Sequence, residues 1–259
     1  MRFDKFIRPD NLQTALKYLQ KDKDAVILGG NTFLRLSERK YTLGIDISNL
    51  KLDYIKESKE DIEIGAFTSL RTIETDPIIN KYFSELLPES VKHLIGVQFR
   101  NNATIGGAIY SRLGFSEINT ALLVLDCELE FEDHGRISFN DFISSPKIKR
   151  DILTKIIVKK QKGKSTYTMM RNANSDFSIL SVAVSNFGYI NIAVGNRPAL
   201  AKLPEKAMKL INSDNSKLDE TADLVAEELS FGDDLRAKSS YRKLITSVLV
   251  NRALRKVLL

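Results

Sequence analysis

Two glycine pairs carry the chemistry for which this chain can be read. Gly29-Gly30 lies between the apolar run Ala25-Val26-Ile27-Leu28 and the polar Asn31-Thr32. Gly106-Gly107 lies in Asn101-Asn102-Ala103-Thr104-Ile105-Gly106-Gly107-Ala108-Ile109, directly after Arg100. A residue without a Cβ lets the backbone turn through positive φ and bring N–H groups up to an anion, which is how phosphates are cradled. A strand, a tight turn and a helix start around the first pair fit such a loop. Two phosphate-type loops point to one diphosphate, although each pair alone reads equally well as a turn or a close-packing point. The G-x-G-x-x-G fingerprint is absent, and Gly163-Lys164-Ser165 lacks the earlier glycine of a P-loop. Nicotinamide binding of the Rossmann type and ordinary ATP chemistry are therefore disfavoured.

The remaining reactive side chains narrow the classes further. Cys127 is the single cysteine, so the chain forms no internal disulfide and holds neither an iron–sulfur cluster nor a cysteine-based zinc site. It reads as a buried small hydrophobe, in keeping with a reducing cytoplasm. His93 and His134 lie far apart without metal-ligand spacing, and no Ser-His-Asp or Cys-His grouping forms around them. No metal is expected on this chain. Lys and Arg total 39 against 33 Asp and Glu, a net charge of +6 over 259 residues. The bases are scattered apart from the short clusters Lys147-Ile148-Lys149-Arg150 and Lys159-Lys160-Gln161-Lys162. A solvated basic face fits this better than a nucleic-acid stripe. With 43% hydrophobic and 28% charged residues, no apolar leader and no bilayer-length run, the chain is expected to be soluble, globular and cytoplasmic.

The elements that must position the glycine pairs follow from periodicity. Phe3 to Phe6 alternates as a strand, and Asp10 offers an N-cap to a helix carrying Leu12, Ala15, Leu16 and Leu19. Strands at Ala25 to Leu28 and Leu43 to Ile47, with a short helix through Phe33, Leu34 and Leu36, complete a βαβ-like unit. Tyr54 to Glu57 and Asp61 to Ala66 read as strands, Thr68 or Ser69 as a cap, and Pro88 to Ile95 as a helix. Ile118, Ala121, Leu122 and Leu125 recur at helical spacing, followed by strands Glu128 to Phe131 and Ile152 to Val158, with a turn at His134-Gly135. The Lys-rich segment Lys159 to Lys164 marks a boundary. Beyond it come a hairpin around Phe187-Gly188 and helices Pro204 to Ile211, Leu218 to Leu229 and Tyr241 to Leu258. The last helix presents Leu244, Ile245, Val248, Leu249 and Val257 as its apolar face. Strands followed by helices make an α+β layer.

Set side by side, these segments resemble a known family. Leu28-Gly29-Gly30-Asn31-Thr32 and Thr104-Ile105-Gly106-Gly107 resemble the first and second FAD loops of the FAD-binding subunit of the xanthine dehydrogenase and carbon monoxide dehydrogenase (molybdenum hydroxylase) family. Thr120 to Asp126 resembles the helix after the second loop, and Arg171 with Asp176-Phe177 an Arg-to-Asp segment. Asp234 to Leu244 resembles the C-terminal D-x-R-[AG]-S-x-x-Y-R-[RK] signature, with Lys238 in place of serine. The resemblance covers the whole chain. It implies an α+β protein with a p-cresol methylhydroxylase-type FAD-binding fold of two α/β subdomains, residues 1–160 split near 1–52 and 53–160. A C-terminal α+β domain over 161–259, like that of the carbon monoxide dehydrogenase flavoprotein, would follow. It further implies an oxidoreductase subunit whose partners carry two-iron two-sulfur clusters and the molybdenum cofactor, with electrons passing through FAD to an acceptor such as NAD.

Carried onto this chain, the resemblance implies that Leu28, Gly29, Gly30, Asn31, Thr32 and Phe33, with Thr104, Gly106 and Gly107, line the diphosphate. Ala108 replaces the usual Asn at that site, and Arg112-Leu113-Gly114-Phe115 the usual Pro-containing segment. A lost side-chain hydrogen bond is worth about 1 kcal/mol, so backbone donors can still carry the ligand. The acidic residue that contacts the FAD nucleotide falls on Glu117, which reads equally as a surface glutamate capping a helix. Ile95 and Gly96 match a segment beside the flavin nucleotide, and Ile157 and Thr168 positions near the isoalloxazine. Asp176 either orients a flavin neighbour or starts a strand. Arg236 and Arg242 read as structural ion-pair partners and Tyr241 as core, and no catalytic residue is assigned. Two rival functions remain: a stand-alone FAD reductase resembling UDP-N-acetylenolpyruvoylglucosamine reductase, and a scaffold subunit that has lost its flavin.

Overall fold

The computed structural model describes residues 1–145 and 150–259, so Lys147, Ile148 and Lys149 of the first basic cluster lie outside the described residues. The chain divides into two compact units. The first comprises Met1–Thr72, Val97–Ser111 and Cys127–Lys159, and the second Ile73–Gly96, Arg112–Asp126 and Lys160–Leu259.

In the first unit, β1 (Arg2–Ile7), β2 (Ala25–Leu28) and β3 (Lys40–Asp46) form a parallel sheet in the order β1-β3-β2. The helix Leu12–Lys21 buries Ala15 and Leu19 among Ala25, Leu43, Ile45, Ile47 and Leu52. Its N-cap is Asn11 rather than Asp10, because the Asn11 side chain accepts from the Thr14 N–H at 2.9 Å. Only one turn of 3₁₀-helix, Leu34–Leu36, forms where a short helix was expected after the first glycine pair. A second, antiparallel sheet of β4 (Ile55–Glu57), β5 (Asp61–Gly65), β6 (Cys127–Phe131), β7 (Gly135–Ser138) and β8 (Leu153–Lys159) runs in the order β4-β5-β8-β6-β7. Cys127 is buried, as a free cysteine of this kind usually is. Ser69, not Thr68, caps the helix Leu70–Thr75 by accepting from the Thr72 N–H, while the Thr68 hydroxyl donates to the Tyr54 carbonyl.

In the second unit, β9 (Lys164–Met170), β10 (Leu180–Asn186) and β11 (Ile190–Gly195) form an antiparallel sheet in the order β11-β10-β9. The β10–β11 hairpin turns at Gly188 with φ +99°. Helices Glu205–Ser213, Leu218–Glu228 and Ser239–Leu258 contribute Ala207, Ile211, Val225, Val250 and Leu254 to one core with Val182, Val184, Ile192 and Val194.

The last helix buries only part of its expected face: Leu249 and Val257 lie in the core and Ile245 packs against it, but the inward side also takes polar residues. Leu244 is 68% exposed and Val248 37%, and Tyr241 is exposed rather than core, whereas Arg242, Thr246, Val250, Ala253 and Leu254 point inward. The cause is Arg242. Its guanidinium donates to the carbonyls of Ile179, Gly232 and Ala237 and to Asp234 at 2.6 Å, and those bonds draw an arginine to the inside. The predicted ion-pair roles hold: Arg242 pairs with Asp234 and Arg236 with Asp176 at 3.2 Å. The helix expected at Pro88 to Ile95 is shorter, Leu86–Val91, and the chain beyond it turns left-handed at Ile95. Among the described residues no helix is long and apolar enough to cross a membrane.

Candidate functional site

The first glycine pair sits where β2 ends. Leu28 is paired with Asp46, the last residue of β3, so the loop Gly29 to Phe33 leaves the carboxyl end of a parallel sheet, where open α/β sheets bind ligands. Gly30 takes φ +65° and Asn31 φ +56°. Glycine adopts that region freely, and asparagine more readily than most other residues. The Asn31 N–H turns back onto the Gly29 carbonyl at 2.7 Å, while the N–H groups of Gly30 and Thr32 have no acceptor among the described residues. A Cβ on Gly30 would stand 1.8 Å from the Asn102 carbonyl oxygen, so no larger residue fits while the two segments pack this closely.

The second glycine pair does something different from the expectation. Gly106 and Gly107 lie in the first turn of the helix Ile105–Tyr110, capped by Thr104, and neither takes a positive φ. The N–H groups of Ile105 and Gly106 donate to the carbonyls of Thr68 and Ala66 at 2.9 Å, that of Gly107 to Thr104 Oγ1 and that of Ala108 to the Thr104 carbonyl. These donors are occupied within the protein. Gly106 is there for packing, since a Cβ would meet the Ala66 carbonyl oxygen at 2.6 Å. Thr104 serves both pairs, lying 3.4 Å from the position a Gly29 Cβ would take.

Together these segments bound a pocket of about 430 Å³ lined by Leu28, Gly30, Asn31, Asn101, Asn102 and Thr104, with Phe6, Asp46, Ser48, Asp53, Phe67 and Ser69. Asp46 accepts from Arg8 Nη2 at 2.7 Å and from the Ser48 N–H at 2.9 Å. Burial raises its carboxyl, but the Ser48 and Arg8 hydrogen bonds outweigh it and hold the group below the ordinary value. The rest of the polar rim is neutral apart from Asp53 and rich in amide and hydroxyl groups, which suits a ligand bearing both phosphates and hydroxyls. Asn31 Oδ1 is buried without a hydrogen-bond partner and is ready to accept from such a hydroxyl. Of the positions expected at the ligand, Leu28, Gly30, Asn31 and Thr104 line the pocket. Gly29, Thr32, Phe33, Gly106, Gly107, Ala108 and Ile157 lie outside its lining, Ile157 being buried in β8.

As pocket residues, Phe6, Asp46, Ser48, Asp53, Phe67 and Ser69 were not read from the sequence. The signal for Asp46 was its place at the end of a parallel strand beside the glycine loop. The others are brought in by tertiary folding.

The second unit holds the remaining expected residues. Glu117 is only 1% exposed and is no surface cap. Its Oε1 accepts from the Ser178 N–H at 2.8 Å, and its Oε2 faces Arg171 Nη2 at 3.6 Å. Burial pushes its carboxyl above the ordinary value, against the pull of Ser178 and Arg171. The Tyr167 hydroxyl is driven well up by burial and by the Glu117 charge. Asp176 accepts from Arg236 and from the Phe177 N–H at 2.7 Å, tying the segment before β10. Thr168 Oγ1 is buried in β9 without a hydrogen-bond partner.

The chain thus combines a parallel sheet carrying a glycine loop, an antiparallel five-stranded sheet and a helix-covered three-stranded sheet. Residues 1–160 match the FAD binding domain in molybdopterin dehydrogenase, and residues 165–257 match the CO dehydrogenase flavoprotein C-terminal domain. The chain belongs to this family and is an FAD-binding oxidoreductase subunit of the molybdenum hydroxylase type. It is 27% identical to the glyceraldehyde dehydrogenase medium chain of Sulfolobus acidocaldarius, covering 97% of each chain. It is also 27% identical to the uncharacterized protein YgfM of Escherichia coli K12, covering 95% of this chain and 93% of that one. The fold is that of carbon monoxide dehydrogenase from Hydrogenophaga pseudoflava, with a TM-score of 0.89 at 22% identity over 99% of this chain and 97% of that chain.

Proposed function

We propose that this chain is the FAD-carrying subunit of a heteromeric, cytoplasmic molybdenum hydroxylase of the xanthine dehydrogenase type, working with a separate iron–sulfur subunit and a molybdenum-cofactor subunit. FAD, when bound, supplies the redox chemistry that passes electrons from the partner's iron–sulfur clusters to an acceptor such as NAD.

The chain's own part is to bind and orient. The unpaired Gly30 N–H donates to the diphosphate, and Asn31 Oδ1 with the Ser48, Ser69 and Asn102 side chains serves the hydroxyls. Arg8 fixes the Asp46 carboxylate and offsets its charge beside an anionic ligand. The observation that carries the reading is the Gly30 turn, left-handed and too close to Asn102 for any side chain. A single, buried cysteine supports placing the clusters on another chain.

The acceptor is tested by mixing the purified, FAD-loaded complex with NADH under anaerobic conditions. Bleaching of the flavin absorption band supports NAD as the acceptor. A band that dithionite bleaches and NADH leaves untouched would assign electron delivery to a different carrier.

A further inference from the structure

The pocket beside the Gly30 turn is walled by more than phosphate-binding groups. The sheet order β1-β3-β2 sets its width: the glycine loop leaves β2, Asp46 ends the central strand β3, and Phe6 stands near the end of β1. Neighbouring strands lie about 4.8 Å apart, so Phe6 is two strand spacings, roughly 10 Å, across the sheet from the loop. A ribose and its base reach over such a span from a phosphate held at Gly30. Phe6 is 55% exposed although it lines a cavity. The second ring of the pocket, Phe67, lies beside the loop, its Cε2 3.9 Å from where a Gly29 Cβ would stand. Aromatic faces left open to a cavity are stacking platforms for a flat ring. Asp53 also lines the pocket, is exposed, and has no hydrogen-bond or ion-pair partner among the described residues.

We propose that this pocket takes the adenosine half of FAD, with Phe6 and Phe67 packing against the adenine and Asp53 accepting from the ribose hydroxyls, while the flavin ring lies outside it. The inference rests on the reading that FAD binds this chain at the Gly30 loop, and it adds which half of the molecule the pocket selects. Both halves end in a flat ring, and charge tells them apart. Reduction puts negative charge on a flavin ring, which two carboxylates, Asp46 and Asp53, would oppose with only Arg8 to offset one of them. Adenine undergoes no such change, and its amino group is a donor that a carboxylate can accept. A carboxylate on ribose hydroxyls is the arrangement that other dinucleotide sites use. The volume of about 430 Å³ lies low in the range of small-molecule pockets and suits one nucleotide rather than a dinucleotide.

The experiment titrates the full chain, stripped of flavin, with FAD, ADP, FMN and 2′,3′-dideoxy-ADP by calorimetry, for the wild type, Phe6→Ala and Asp53→Asn. ADP is expected to bind the wild type and to compete with FAD, and FMN is expected not to compete. Phe6→Ala should weaken FAD and ADP alike, about 10- to 100-fold, as the loss of one stacking face does. Asp53→Asn should weaken ADP about tenfold and leave dideoxy-ADP unchanged. Asp53 is exposed and unpaired, so its substitution leaves the fold intact and decides the matter if Phe6→Ala fails to fold.

Competition by FMN and none by ADP would put the flavin ring in the pocket and overturn the proposal. So would ADP affinity unchanged in both variants. A wild type that holds FAD but does not bind ADP sinks the adenosine assignment and leaves the cofactor reading standing. ADP bound in the expected pattern without FAD binding does the reverse, and a wild type that binds neither refutes both.

Discussion

Replacing Gly30 by alanine tests the loop at its tightest point. Two costs arise together. An alanine at φ +65° bears the left-handed penalty of about 1–2 kcal/mol. Its Cβ would start 1.8 Å from the Asn102 carbonyl oxygen, and opening that contact to 3.0 Å moves the loop by about 1.2 Å. Overpacking of this kind costs about 1–3 kcal/mol. The combined loss of about 2–5 kcal/mol corresponds to a fall in Tm of roughly 5–15 °C for a chain of this size. The displaced loop also withdraws its N–H donors, and losing one hydrogen bond to a charged phosphate weakens FAD by roughly 10- to 100-fold.

Gly29→Ala is the matched control. Its Cβ would find its nearest neighbour, Thr104 Oγ1, at 3.4 Å, an ordinary contact, and its φ is not left-handed. Thermal melting and flavin retention are measured on both variants. Gly30→Ala should lose FAD and stability while Gly29→Ala keeps both. If the two variants behave alike, the cradle assigned to Gly30 is wrong.

Three further outcomes follow from the same geometry. Thr104→Val removes the cap on the Gly107 N–H and should cost about 1 kcal/mol in urea unfolding, with Thr104→Ser retaining most of it. Glu117 should make stability fall as pH rises. Its folded carboxyl lies above the usual value of 4.5, so the folded state holds the proton more tightly. The stability it lends is complete below that value and is lost as pH climbs through the folded one. Glu117→Gln should flatten this part of the profile in urea midpoints, and an unchanged slope would assign it to another group. Arg242→Met leaves Asp234 and three carbonyls without their donor and should cost about 3–5 kcal/mol, part of which Asp234→Asn restores.

Much of the fold was legible because local pattern and tertiary need agree. The alternation at β1, the apolar β2 and the hairpin around Gly188 are each dictated by the face they bury. Gly30 is where glycine's conformational freedom is used as a glycine pair advertises. At Gly106 the same residue type serves a different purpose, close approach to Ala66, and sequence cannot separate the two because both need a missing Cβ. The last helix misled for a related reason: hydrophobic spacing places Leu244 inside, but the carbonyls waiting for Arg242 come from loops distant in the chain. Glu117 was visible in the sequence as an acid opening the helix Glu117–Leu122, while Arg171 becomes its neighbour only on folding.

The most direct test of the central claim is the cofactor content of the purified chain, measured by absorption and by chromatography after acid release. Stoichiometric FAD in the wild type, reduced in Gly30→Ala and retained in Gly29→Ala, is the predicted result. A colourless chain that also fails to take up added FAD would contradict the account and favour a scaffold subunit without flavin.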